Sequence, residues 1–377
     1  MGLKGKRVGV IIAVSTAISL AMLLVCNLLW DSQYTYGFGD DSVFLSSVLL
    51  RKHCTADNNG DIVPINTAYD QTLVPMEDEF GIPVGTIGIT DREKLLHLFQ
   101  ALDKERSYDY IFCDIFFDGR FSTPADSALF ALLGSMPRLV IPRTGNGPVP
   151  YGLEEKAAIS DYTIFKNGDQ FLKYKYLRKG GRSVPLKMYH DLCGKDIKRC
   201  WPFYCSDGRP CNNSVILPYD CLLDATYSTD GKQQLFYLGT DICSTEMPAD
   251  MFKGKIVLVG DFTETDIHDT PAGPMPGIMI TYNAYLTLKN GDHKVPLCIY
   301  FVLFVLFFVY SVIILARLSF KPRKQWLAFC LDWVSFTFPL SILCWLSYYF
   351  AGIFINAVFI GTIFSIFSYI YAHLAKK

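Results

Sequence analysis

The chain has 377 residues, of which 51% are hydrophobic and 15% aromatic, with 35 Lys and Arg against 36 Asp and Glu. A net charge of −1 gives no basic footprint, which excludes nucleic acid as a partner class. The apolar excess comes largely from four long stretches, leaving one sizeable soluble domain attached to a membrane.

Val8 to Leu29 is an apolar run of about twenty residues, enough to cross a hydrocarbon core of roughly 30 Å. It exceeds the roughly 7–15 apolar residues of a cleaved signal and runs on through Trp30 without a small-x-small site, so it is expected to stay as an anchor. Phe44 to Arg51 reads as a helix and Asp61 to Asn66 as a short strand. From Asp91 an acidic start leads into Leu95, Leu96, Leu98, Phe99 and Leu102, the spacing of an amphipathic helix. Tyr110 to Phe117 is a nearly continuous apolar run broken by Asp114, the mark of a strand buried on both faces. Asp126 to Leu133 gives another helix and Arg138 to Ile141 another strand, so an α/β sheet is implied.

From about 143 to 250 the character changes. Asp161 to Phe165, a turn at Asn167 and Gly168, and Phe171 to Leu177 form a hairpin signal, and Asp230 with Gly231 repeats the device before Leu235 to Leu238. This portion is expected to be an antiparallel, cysteine-rich elaboration of a mostly parallel α/β domain. Parallel sheet returns at Lys255 to Gly260, then the loop Asp261 to Pro276, then a helical pattern from Gly277 to Leu288. Leu297 to Ala316, Leu327 to Phe350 and Ile353 to Ala372 complete the α-helical transmembrane segments.

Basic residues at Lys4, Lys6 and Arg7, at Arg317, Lys321, Arg323 and Lys324, and at Lys376 and Lys377 all fall on one side if every stretch spans. The positive-inside rule makes that side cytoplasmic and places Asp31 to Lys294 outside. The division is a tail and anchor over 1–30, an external domain over 31–295, and three spans with a short loop and tail over 296–377. The segments left inside are too short to fold, since a domain needs at least about 40 residues.

Of 12 cysteines, Cys26, Cys298, Cys330 and Cys344 lie in spans and eight lie outside, an even number that fits an oxidising compartment. Cys193, Cys200, Cys205, Cys211, Cys221 and Cys243 are candidates for disulfide stapling of the middle section; zinc is the alternative, against which stands the lack of any Cys-x-x-Cys pair. Cys54 and Cys113 are isolated, and Cys113 reads as a buried thiol.

Ligands of open α/β sheets bind beyond the carboxyl ends of the strands. Asp261, Asp266, His268 and Asp269 fall there, able either to coordinate a hard cation or hydrogen-bond a polar ligand, or to cap the following helix and its turns. Asp114 and Asp118 end another apolar strand and would face the same cleft. Asp332 lies six residues past Trp326, about 9 Å into the bilayer, where it would pair with a partner's basic group or bond within the bundle. Pro339 and Asn356 are packing features of the same spans. Gly-x-Ser-x-Gly, His-Glu-x-x-His and a Walker loop are missing and the six histidines nominate no base, so neither catalysis nor a cofactor is expected.

The run Gly254-Lys255-Ile256-Val257-Leu258-Val259-Gly260, then Asp269-Thr270-Pro271, Met275-Pro276-Gly277 and Asn283 to Leu288, resembles the CHASE type 2 extracytoplasmic sensor domain of bacterial receptors. Weaker matches are Ile62 to Leu73, Asp91 to Leu102, Tyr110 to Phe117 and Asp126 to Leu133, and one leading with three trailing spans is the family's usual arrangement. The chain departs from it at Ile87-Gly88-Ile89-Thr90-Asp91, where a Trp-Pro-rich segment precedes the arginine that matches Arg92, and at Met279 and Thr281, where the family carries a glutamate and a histidine. The resemblance implies a multi-pass protein of the bacterial inner membrane whose periplasmic domain binds an unknown small ligand and relays a signal to a separate membrane or cytoplasmic partner. The alternative is a non-sensory assembly subunit of an envelope complex.

Overall fold

A computed structural model describes residues 2–31, 61–78, 80–117, 119, 121–145, 147–160, 166–167, 170–223, 235–244, 250–263, 265–316 and 325–374. The helix expected at Phe44 to Arg51, the segment Asp161 to Phe165, the turn at Asp230 and Gly231, and Cys54 and Asp118 lie outside them.

The first helix, α1 (Gly2–Asp31), leads to β1 (Ile62–Asn66), the hairpin β2 (Gln71–Glu77) and β3 (Pro83–Thr90), α2 (Arg92–Glu105), β4 (Tyr110–Cys113), α3 (Asp126–Ser135), β5 (Leu139–Arg143) and β6 (Ala157–Ile159). The middle section holds β7 (Lys173–Lys175), α4 (Val184–Cys193), the ribbon β8 (Lys198–Cys200), β9 (Phe203–Ser206) and β10 (Arg209–Cys211), then β11 (Ser214–Ile216) and β12 (Phe236–Tyr237). There follow β13 (Ile256–Gly260), the hairpin β14 (Ile267–Thr270) and β15 (Gly273–Pro276), α5 (Gly277–Asn290) and the helices α6 (Leu297–Leu315), α7 (Gln325–Ala351) and α8 (Ala357–Leu374).

Six parallel strands form the central sheet in the order β12-β1-β13-β4-β5-β6. Their side chains alternate between two buried faces, as the two-residue repeat of a strand requires. Val63, Ile111, Cys113, Val257 and Val259 pack under α2 and α3, whereas Ile62, Tyr110, Phe112, Ile256 and Leu258 pack against α4 and α5. Asp91 caps α2 by accepting from the amides of Glu93 and Lys94 at 3.0 and 3.1 Å, which is why the helix begins there. Helix α5 is buried on every side from Gly277 to Leu288, being held between the sheet and the middle section. Tyr176 donates to the Ala284 carbonyl at 3.1 Å, and Asn283 exchanges bonds with the Cys221 backbone at 2.9 and 2.8 Å.

The middle section is more than an antiparallel layer laid on a finished core. It supplies β6 and β12, two strands of the parallel sheet, and α4, one of its covering helices. Leu235 to Leu238, expected as part of an antiparallel pair, instead adds Phe236 and Tyr237 in parallel to the free edge beside β1. Asn167 pairs antiparallel with Gln170, as the hairpin signal expects, and Gly168 lies outside the described residues. The loop expected over Asp261 to Pro276 contains the hairpin β14–β15, closed where the Thr270 hydroxyl donates to the Gly273 carbonyl at 2.7 Å. The hairpin β2–β3, which the sequence reading does not foresee, leaves Leu73, Phe80 and Val84 exposed.

Among the described residues four helices are long and apolar enough to cross a membrane: Val8–Asp31, Leu297–Leu315, Trp326–Ala351 and Ala357–Leu374. The domain meets them at the carboxyl end of α1. Lys173 donates to the Trp30 carbonyl at 2.8 Å, and the Asp31 carboxylate receives Asn213 at 3.1 Å, Lys175 at 3.2 Å and Tyr204 at 3.3 Å. The Trp30 indole donates in turn to the Phe354 carbonyl at 2.6 Å, in the segment joining α7 to α8.

Candidate functional site

At the carboxyl ends of β1, β4 and β13 a cleft of about 310 Å³ opens between the sheet, the β2–β3 hairpin and the start of α2. This is the crevice where the strand order departs from the chain order, since β13 is inserted between β1 and β4. Thr67, Arg92, Asp114, Phe121, Asp261 and Thr265 are among the residues that line it.

Asp114 and Asp261, read from the sequence as strand-end carboxylates, do share this cleft. Asp114 follows β4 directly and its amide donates to the Val259 carbonyl at 2.7 Å. Asp261 follows β13 and holds the next turn, accepting from the Thr263 amide at 2.8 Å, the Thr265 amide at 3.2 Å and both threonine hydroxyls. Of the structural roles weighed for it in the sequence, Asp261 satisfies the turn backbone and caps no helix.

Asp266, His268 and Asp269 lie elsewhere. His268 Nε2 sits 3.0 Å from Asp266 Oδ1, and the Asp266 carbonyl accepts from the Gly277 amide at 2.8 Å where α5 begins. Gly277 admits that approach because a Cβ there would come within 2.3 Å of Asp266 Oδ2. Asp269 is exposed on β14. Among the described residues no group of three His, Cys, Asp or Glu is placed to hold a metal ion, so the four do not converge on a cation as the sequence allowed. The hairpin is the physical reason: it turns successive side chains to opposite faces.

The sequence reading missed Arg92 as a site residue. It occupies the first position of α2 on the same face as Leu95, Leu98, Phe99 and Leu102, and it is 3% exposed. Its guanidinium lies 4.4 Å over the Phe117 ring, and Nε is 3.8 Å from Asp126 Oδ1, beyond hydrogen-bond reach. Neither Nε nor Nη1 has a hydrogen-bond partner among the described residues, and desolvation lowers the group's pKa. An arginine on the apolar face of an amphipathic helix was the available signal.

The six candidate cysteines occupy four separate places. Cys200, Cys205 and Cys211 share the β8–β9–β10 ribbon, while Cys193 ends α4, Cys221 packs on α5 and Cys243 follows β12. All carry free thiols, as does Cys113, which is fully buried in β4. Burial, and then a hydrogen bond with the Cys200 thiol, raises the pKa of Cys205. Within the helical bundle Asp332 is 7% exposed and accepts from the Ser368 hydroxyl at 2.7 Å, which is the in-bundle bond rather than a group left waiting for a partner.

A family model for the CHASE2 domain matches residues 84–316, from β3 through α6. The chain belongs to the CHASE2 domain family. The CHASE2 match takes in α2, β4, β13 and α5, and with them Arg92, Asp114 and Asp261. No curated protein and no solved structure matches the chain.

Proposed function

We propose that this protein is a multi-pass receptor of the bacterial inner membrane whose periplasmic CHASE2 domain binds a small solute in the cleft and relays occupancy through its spans to a separate partner. The observation that carries the reading is the cleft itself: a CHASE2 domain with a crevice of about 310 Å³ at the switch point of its sheet, on a chain with four long apolar helices among its described residues. The contacts around Asp31 support the relay, because β7, β9 and the residues before β11 grip the end of α1 through side chains of the same domain. We read the protein as a binder and not as an enzyme.

Two measurements test this. A cysteine placed at Tyr151, which is 95% exposed, should react with a membrane-impermeant maleimide in intact cells; protection there would overturn the periplasmic assignment. A photo-crosslinking residue at Phe338, on the exposed face of α7, should capture a partner to an extent that changes when a binding solute is added. Stoichiometric capture indifferent to every solute that binds would instead make the protein an assembly subunit.

A further inference from the structure

The cleft places a buried cation with unmet donors in a lining that also holds the carboxylates of Asp114 and Asp261. Arg92 is 3% exposed and lines the cleft, and its Nε and Nη1 have no hydrogen-bond partner among the described residues. Leaving a buried charged donor unsatisfied costs more than leaving a neutral one so, and such a group calls for a ligand that completes it. The nearest acid does not complete it. Asp126 stands 3.8 Å away and spends its oxygens on the Thr123 amide and hydroxyl at 3.1 and 3.0 Å.

A second buried donor stands one residue from the lining. Asn66 ends β1 next to Thr67; its Oδ1 accepts from the Ala68 and Phe262 amides at 3.1 and 3.2 Å, and its Nδ2 has no partner among the described residues.

The rest of the lining narrows the class. A planar guanidinium fork suits carboxylate and phosphate alike. Asp114 and Asp261 line the same small space as Arg92, so every anion meets two like charges there and a monoanion meets half the repulsion of a dianion. Ile89, Ile115, Phe116 and Phe121 offer apolar wall for the body of the molecule. A volume of about 310 Å³ stands at the lower bound of small-molecule sites, roughly 300–1,000 Å³.

We infer that the cleft takes a small organic monocarboxylate, its carboxylate clamped by Arg92 and its body lying against the apolar wall. This rests on the receptor reading above and names the ligand class for the same cleft.

The test uses the full chain in lipid nanodiscs and follows thermal unfolding with propionate, benzoate, their amides and inorganic phosphate as probes. The expected result is a rise in melting temperature with at least one of the two carboxylates and none with its amide or with phosphate. R92M should abolish that rise while folding, because an apolar side chain of similar length replaces an incompletely paired buried charge. R92K keeps the charge but loses the fork, and should shrink the rise. The inference is overturned if neither carboxylate acts, if amide or phosphate acts equally, or if R92K responds as fully as the parent chain. Some other solute whose effect is lost in A68W, which fills the cleft from a half-buried position, would refute the carboxylate and leave the receptor reading standing. Failure of every solute would remove both.

Discussion

His293 should make the protein acid-labile, and the size of the effect can be worked from its surroundings. The residue lies in the turn between α5 and α6, where the domain hands the chain to the membrane, and it is fully buried. Its ring packs edge-on against Tyr189 at 5.7 Å, and neither ring nitrogen finds a hydrogen-bond partner among the described residues. The Thr287 carbonyl, whose proximity favours the charged form, already accepts from the Asp292 amide at 3.0 Å. Desolvation, and then Lys294, push the imidazole pKa from 6.5 down to about 4, with Asp207 opposing.

A base with a depressed folded pKa binds its proton in the unfolded chain first. Stability is therefore complete above about pH 6.5, falls as the pH drops from there to about 4, and levels off below. Each pH unit of that window is worth about 1.4 kcal/mol, so the whole is about 3 kcal/mol, a large fraction of the stability of an ordinary domain. Melting temperatures of the parent chain and of H293L, followed by circular dichroism in one detergent from pH 7 to pH 4, isolate the effect, because every other titrating group is common to both. The parent should lose stability faster than the variant across the window. Parallel curves would refute the account.

Three further outcomes are expected. D31A removes the acceptor shared by Lys175, Asn213 and Tyr204, and should cost about 1–2 kcal/mol in thermal unfolding while raising proteolytic cleavage between α1 and the domain. G260A sets a Cβ 3.1 Å from Ile278 Cδ1 and 3.3 Å from Asp114 Cβ, so it should destabilise by about 1–3 kcal/mol and weaken whatever the cleft binds, as calorimetry would read. Mild oxidation should bridge Cys200 to Cys205, whose thiols already touch, and peptide mapping without reductant should find that link ahead of any to Cys193 or Cys243.

The elements legible in the sequence are those whose pattern is strong by itself. The leucines of α2 with Asp91 ahead of them, the unbroken apolar runs of β4 and β13, and the spans all declare their structure within a window of a dozen residues. What escaped depends on partners far along the chain. Phe236 and Tyr237 are a strand only because β1 offers a free edge, and Ala157–Ile159 only because β5 does. Strand β4 ends at Cys113, short of the apolar run's end at Phe117, because Asp114 turns toward the cleft. Helix α4 opens on Val184 and Pro185 inside a section read as antiparallel, and nothing local separates it from its neighbours. The site shows the same division. Asp114 and Asp261 were visible as polar residues ending apolar strands, whereas the unmet donors of Arg92 emerge only once Phe117 and Asp126 close around it.

The bond from the Trp30 indole to the Phe354 carbonyl joins positions 324 residues apart. During synthesis the first span must wait, its indole donor bonded to interfacial water, until the α7–α8 connection has been made. Closure of the helical bundle is thus a late event in biogenesis.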